Sequence, residues 1–131
     1  MNTFRNENDA TFVASRKNLV PMTMGAIKGR HPLPVDNYVF DEDIKDIRDF
    51  DFMGDKVHEK LRYCSALILY VTGLTVVTTE ICSYCSYNNI PLTLLHFDRE
   101  TGEYFPQVVI SDYMAEKNRN ALRFYEEYWV F

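Results

Sequence analysis

Three short stretches of this sequence carry side chains suited to chemistry. "KGRH", Lys28 to His31, sets an ammonium, a guanidinium and an imidazole around Gly29. "TGLT", Thr72 to Thr75, offers two hydroxyls around Gly73, a residue that lets the backbone approach a ligand closely. "HFDRE", His96 to Glu100, adds a second imidazole and a second guanidinium, with Asp98 between them. Imidazoles titrate near neutral pH and move protons. Guanidiniums grip phosphate or carboxylate through two parallel hydrogen bonds. The amides of Leu74, Thr75 and Val76 would open a helix, where free N–H groups and the helix dipole favour an anion. The chemistry expected is that of a phosphate-bearing ligand. Arg30 or Arg99 would stabilise charge on phosphoryl oxygens, and His31 or His96 would act as acid or base. Each stretch also has a structural explanation. Thr-Gly is a common strand-to-helix turn, a histidine can simply end a strand, and Arg99-Glu100 suits a solvated turn. A shared site depends on elements that bring all three together.

Hydrophobic periodicity supplies those elements. Leu19 to Ile27 reads as a strand in which Pro21 confines the start to an edge role, and the run breaks at Lys28 to Pro32. "NYVF" is a short strand or an anchor on the core. "DEDIKDIRDFDFMGDKVHEKLRYC" has the spacing of one or two amphipathic helical segments interrupted near Gly54, with Asp41 and Asp43 facing first-turn amides. Its acidic run lacks the glycine of a calcium loop and reads as helical surface. "ALILYV" is a continuous apolar run, as in a strand covered on both faces. Leu74, Val77, Ile81, Tyr84 and Cys85 recur at helical spacing up to Asn88-Asn89. "IPLTLLHF" is a second buried strand, so the unit is strand, helix, strand, a right-handed parallel crossover. Thr101-Gly102 turn the chain into a strand from Tyr104 to Ile110, placed at an edge by Pro106. Ser111 caps a terminal helix with Met114, Ala121, Leu122, Tyr125 and Trp129 on one face.

The expected fold is a small three-layer Rossmann-like α/β domain over residues 18–131. Its sheet would be mainly parallel, with an added edge strand or hairpin and a C-terminal helix. Residues 1–17 would be a loose arm or an edge strand through "TFVAS". In open α/β sheets ligands bind beyond the carboxyl ends of the strands, where strand order reverses. The three stretches would then share one edge. Lys28, Gly29, Arg30, Thr72, Gly73, Leu74, Thr75 and Asp98 are the expected ligand positions, and His31, His96 and Arg99 the expected catalytic ones.

Bulk properties narrow the classes. The 131 residues make one domain, and a net charge of −5 gives no support for binding long nucleic acid. Three cysteines, no apolar run of membrane-spanning length and no signal-peptide pattern point to the cytoplasm. Cys82-x-x-Cys85 has no second pair and sits late in its helix rather than at the start, so it reads as packing. His58-Glu59 is not part of an HExxH motif and reads as a solvated helix face. No metal or other cofactor is expected.

The segment from Ala66 to Asp98, strand–TGLT–helix–strand, resembles the core of small Rossmann-like CARF domains and their stand-alone relatives in prokaryotic antiviral defence. The resemblance covers about a quarter of the chain. It implies that a homodimer binds a cyclic oligonucleotide, with Thr72, Gly73 and Thr75 in contact with it. It also implies, for an enzyme, metal-independent phosphodiester cleavage by 2′-hydroxyl attack, as in ring nucleases. A different class stays open beside it: a small inhibitor or adaptor, of mobile-element origin, that presents an acidic and aromatic surface to a host or defence protein. Aromatics reach 15% of the chain, and "RFYEEYWVF" is rich in interface-type residues.

Overall fold

The computed structural model describes residues 18–128, with side chains as far as Arg123. Along the chain it has strand β1 (Val20–Ile27), strand β2 (Tyr38–Phe40), helix α1 (Phe50–Leu61), strand β3 (Cys64–Tyr70), helix α2 (Thr75–Tyr87), strand β4 (Leu92–Asp98), strand β5 (Glu103–Ile110) and helix α3 (Asp112–Tyr128). The five strands form one sheet in the order β2-β1-β3-β4-β5. The first four are parallel, and β5 runs antiparallel to β4 at the edge.

This order dictates where the helices go. The β2-to-β3 and β3-to-β4 connections cross the sheet in the same direction. Right-handed crossovers therefore place α1 and α2 on the same face. There Val57 and Leu61 of α1 and Val77, Ile81 and Cys85 of α2 pack with Met24, Leu67, Leu69, Leu92 and Leu94 in one core. His58 joins the two helices: its Nδ1 lies 3.2 Å from the Tyr84 hydroxyl. The expectation of a solvated His58 is thus corrected, because the α1–α2 contact claims it.

The β1-to-β2 connection runs the opposite way across the sheet, so its loop belongs on the other face. Gly25 shows the loop arriving there. A Cβ at that position would stand 2.6 Å from the Tyr38 ring and 2.9 Å from a Leu33 methyl. No helix follows the loop onto this face among the described residues. Among the described residues, helices α1 and α2 therefore cover one face of the sheet. The same reason corrects the reading of β3 as covered on both faces. Ile68 is 41% exposed and Phe97 of β4 is 51% exposed, while Tyr104 of β5 packs against Tyr70 and Phe97 at ring distances of 4.8 and 5.3 Å.

Helix α1 is a single helix that starts later than its periodicity suggests. Asp49 caps it, accepting from the Phe52 amide at 3.1 Å, and Gly54 lies buried inside it instead of interrupting it. A mid-helix glycine costs about 1 kcal/mol, and burial of Met53, Val57 and Leu61 outweighs that. Asp41 and Asp43 stand in the preceding loop, not in the first turn. Asp41 pairs with Lys60 at 2.8 Å, and Asp43 with Arg30 at 3.0 Å. The acidic run is accordingly loop surface for much of its length.

The other ends follow the sequence more closely. Asn89, after α2, takes a left-handed φ of 55°, and Gly102 turns β4 into β5 at φ 74°. Ser111 Oγ accepts from the Met114 amide at 3.1 Å. Helix α3 buries Ala115, and Arg119 donates to the Asn89 carbonyl at 3.0 Å, but Leu122 is 55% exposed. The expected apolar face is therefore not seated on the body at Leu122; the side chains of Tyr125 and Trp129 lie outside the described residues. Ser111→Ala is expected to cost α3 about 1 kcal/mol. Circular dichroism should show helix lost ahead of the main thermal transition, because α3 adds little to the core.

All three cysteines are free thiols: Cys64 and Cys85 are buried and Cys82 partly so. Burial pushes the Cys64 thiol up to about 11 and raises Cys85 as well. A thiol of the unfolded chain ionises near 9, while the folded one holds its proton. Between those values the native state binds more protons than the unfolded state, so stability falls as pH rises. Thermal unfolding is expected to shift progressively lower from about pH 9 toward pH 11. Replacing Cys64 and Cys85 by alanine should reduce that alkaline slope without abolishing it, because burial also raises Cys82 and Tyr84, and the truncations themselves lower stability.

Candidate functional site

Parallel pairing brings the three chemical stretches to one edge. Gly25 of β1 lies beside Tyr70 of β3, which lies beside Leu95 of β4. The chain after each strand therefore emerges at the same, carboxyl, end of the sheet. The loops then part. After β1 the chain turns onto the open face, and after β3 it enters α2 on the helical face. Divergence of this kind marks the switch point of an open α/β sheet, and it falls between β1 and β3. Lys28 to Arg30 form one wall of that crevice, and Thr72 to Thr75 form the other.

The second wall has unspent hydrogen-bonding capacity. Thr72 is 3% exposed, and its Oγ1 has no partner among the described residues. Gly73 follows at φ 92°, and a Cβ there would meet nothing within 4 Å, so the turn borders open space. Helix α2 then begins at Leu74 without any side-chain cap. The Val77 and Thr78 amides bond back to the Leu74 carbonyl at 3.1 and 3.2 Å, whereas those of Thr75 and Val76 have no partner outside the helix among the described residues. Free amides of this kind are the usual anion-binding feature of a helix start.

The first wall is basic but partly engaged. The Lys28 amide bonds to the Phe40 carbonyl at 2.9 Å, which leaves its exposed ammonium outside the ladder. Gly29 turns the chain at φ 94°. Arg30 holds Asp43 through Nε at 3.1 Å and Nη2 at 3.0 Å. The Ile44 amide and the Arg30 guanidinium together hold the Asp43 carboxyl below the usual carboxylate range. Nothing in the local sequence signalled this partner, which lies 13 positions away across β2.

The residues expected to do catalysis share the edge but make no contact with one another. His31 is exposed on the loop toward the open face. His96 alternates with Leu92 and Leu94 and so faces the helical side, its Nε2 2.8 Å from Gln107 Oε1 and its ring against Phe105. Asp98 serves its own turn, accepting from the Glu100 amide at 2.9 Å while its carbonyl accepts from Gly102 at 2.8 Å. Arg99 is exposed and forms no ion pair among the described residues. Lys28, Gly29 and Arg30 therefore follow β1, and Thr72, Gly73, Leu74 and Thr75 follow its neighbour β3; His96, Asp98 and Arg99 stand at the end of β4, one strand away.

Two cavities of about 530 Å³ lie elsewhere. One follows the outer edge of β1, and the other is lined by Phe40, Phe52, the carboxylates from Asp41 to Asp49, and Lys45 and Lys56. The first joins segments distant along the chain, from Val20 to Lys60, and the second is built within the single stretch from Phe40 to Lys56. Among the described residues, no group of three or more His, Cys, Asp or Glu side chains could hold a metal ion, and no helix is long and apolar enough to cross a membrane. No family model, curated protein or solved structure matches this chain.

Proposed function

We propose that this protein is a Rossmann-like, cytoplasmic, homodimeric domain that binds an anionic nucleotide-type ligand in the β1/β3 crevice. Cyclic oligonucleotides are the class suggested by the TGLT resemblance. The carrying observation is the buried, unpartnered Thr72 hydroxyl at the foot of an uncapped helix start. A buried hydroxyl without a partner costs about 1–3 kcal/mol. A phosphate oxygen would accept its proton and those of the Thr75 and Val76 amides. Lys28 supplies charge from the facing wall, and Arg30 does so if the anion competes with Asp43. Metal-independent phosphodiester cleavage is the reaction class backed for this edge, with His31 or His96 as acid or base and Arg99 against the phosphoryl oxygens. These groups do not touch, so turnover requires the ligand to bridge them.

Thr72→Val separates this reading from a packing role. Without ligand the variant should be as stable as the parent or slightly more so, since it removes an unsatisfied group. With ligand, it should bind about tenfold more weakly, a loss of about 1.4 kcal/mol. Thermal shift against mononucleotides, dinucleotides and cyclic oligonucleotides measures both. A parent protein whose melting temperature none of these moves does not have the site.

A second reading has its own observation. Five carboxylates from Asp41 to Asp49 line one cavity beside Phe52, and Ile47, Phe50 and Phe52 are each about half exposed. That surface suits a non-enzymatic adaptor or inhibitor that engages a basic patch on a host or defence protein. Pull-down with Phe50→Ala and Phe52→Ala variants would separate it from the ligand-binding reading.

A further inference from the structure

Three aromatic rings meet on the sheet face opposite the helices, at the same carboxyl edge as Thr72. In β4, Leu92 and Leu94 face the core, so Leu95 and Phe97 alternate with opposite parity, and Phe97 faces away from it. Tyr70 lies beside Leu95, and Tyr104 lies directly across from Phe97, which puts all three rings on one face. Tyr104 is the hub. Its ring meets that of Tyr70 edge-on, at 4.8 Å and 83°, and that of Phe97 at 5.3 Å and 59°. Rings fixed against one another have little freedom left to lose on binding. Tyr70 and Tyr104 are partly buried, whereas Phe97 keeps half of its surface exposed. The cluster has a defined place between two segments. Strand β3 ends at Tyr70, and Thr72 follows two residues on, about 7 Å of extended chain. On the other flank Gly25 pairs beside Tyr70, and Leu33 of the loop after β1 comes against Gly25 on this same face. The rings are thus a floor between the start of α2 and the loop that begins at Lys28. No charge interrupts that floor, which consists of Tyr70, Leu95, Phe97, Tyr104 and Pro106.

On the reading that the Thr72 turn holds an anion, we propose that the exposed ring of Phe97, fixed by Tyr104 and Tyr70, is where the heterocyclic base of the ligand stacks. A base offers a flat π face to an aromatic ring whatever its hydrogen-bonding edge, and it is tied to its phosphate at a short reach. The phosphate goes to the Thr72 hydroxyl and the free amides of α2, and the base takes the water-facing side of Phe97. One nucleotide therefore uses both features, whereas inorganic phosphate or a sugar phosphate uses only the first. The site accordingly selects nucleotides over other phosphates and selects weakly among bases, since stacking reads no base edge.

AMP and ribose-5-phosphate carry the same phosphate on the same sugar and differ by the base. Each is titrated into the full chain and into its Phe97→Leu variant, with binding read by NMR at the Gly73 amide. Leucine keeps the half-exposed position apolar, and a thermal melt checks that the variant is folded. The parent should bind AMP at least about tenfold more tightly than ribose-5-phosphate. Phe97→Leu should erase most of that difference while leaving ribose-5-phosphate binding unchanged. In the parent, nuclear Overhauser contacts should join the adenine protons to the Phe97 ring. Equal affinity for the two probes, or AMP binding indifferent to Phe97→Leu, overturns the stacking platform and leaves the anion site standing. A Gly73 amide that neither probe moves overturns both. A dimeric parent that Phe97→Leu turns into a monomer without nucleotide also overturns the platform, because a second copy would then cover the rings.

Discussion

Leu69→Ala is expected to remove about 2–5 kcal/mol of stability, a large part of the 5–15 kcal/mol typical of a domain. Leu69 is fully buried in a central strand, between Met24 of β1 and Leu94 of β4 and under the core-facing residues of α1 and α2. Its neighbours belong to elements tied down elsewhere, so the cavity cannot collapse. The informative comparison is the adjacent Ile68, which points to the open face. Ile68→Ala should cost less than about 1 kcal/mol, because much of its surface already meets water. Denaturant unfolding of both variants measures the difference. Equal losses would mean that the Ile68 face of β3 is covered in solution.

Gly25→Val is expected to cost about 1–3 kcal/mol through overpacking. The new Cβ would overlap the Tyr38 ring at 2.6 Å and Leu33 at 2.9 Å, both buried or partly buried against β1. Relief requires the ring or the loop to move. The loop begins at Lys28 to Arg30, so the basic wall of the crevice should shift and ligand affinity should fall with stability. Tyr38→Leu in the same chain should recover part of the loss, since the two sites are in contact and their effects will not add. If Gly25→Val melts at the parent temperature, the loop does not pack on β1 as described.

Much of the fold was legible because its signals are local. Continuous apolar runs at Ala66 to Val71 and Pro91 to Phe97, helical spacing between them, and turn residues at Asn88-Asn89 and Thr101-Gly102 all correspond to observed elements. The start of α1 was misplaced because Ile44 and Ile47 mimic helical spacing across an irregular loop; Asp49 capping decided the true start. The run at Ala66 to Val71 suggested a strand covered on both faces, yet an apolar run records only that a strand is apolar. It does not say whether a helix or a loop lies above it.

The sequence by itself determined an α/β chain with a parallel crossover from Ala66 to Phe97, and hence that Thr72 to Thr75 and His96 to Glu100 leave one edge of a sheet; the pairing of β1 with β3 adds Lys28 to His31 to that edge. That follows from chain direction, which a right-handed crossover settles without knowledge of packing. Only the tertiary structure decided which of these residues face each other. The order of β1 between β2 and β3 makes the strands that precede Lys28 and Thr72 neighbours at the switch point, and strand parity turns His96 toward the helical face. Arg30 met Asp43, and Thr72 was left buried without a partner among the described residues, because both outcomes depend on contacts between segments far apart in the chain.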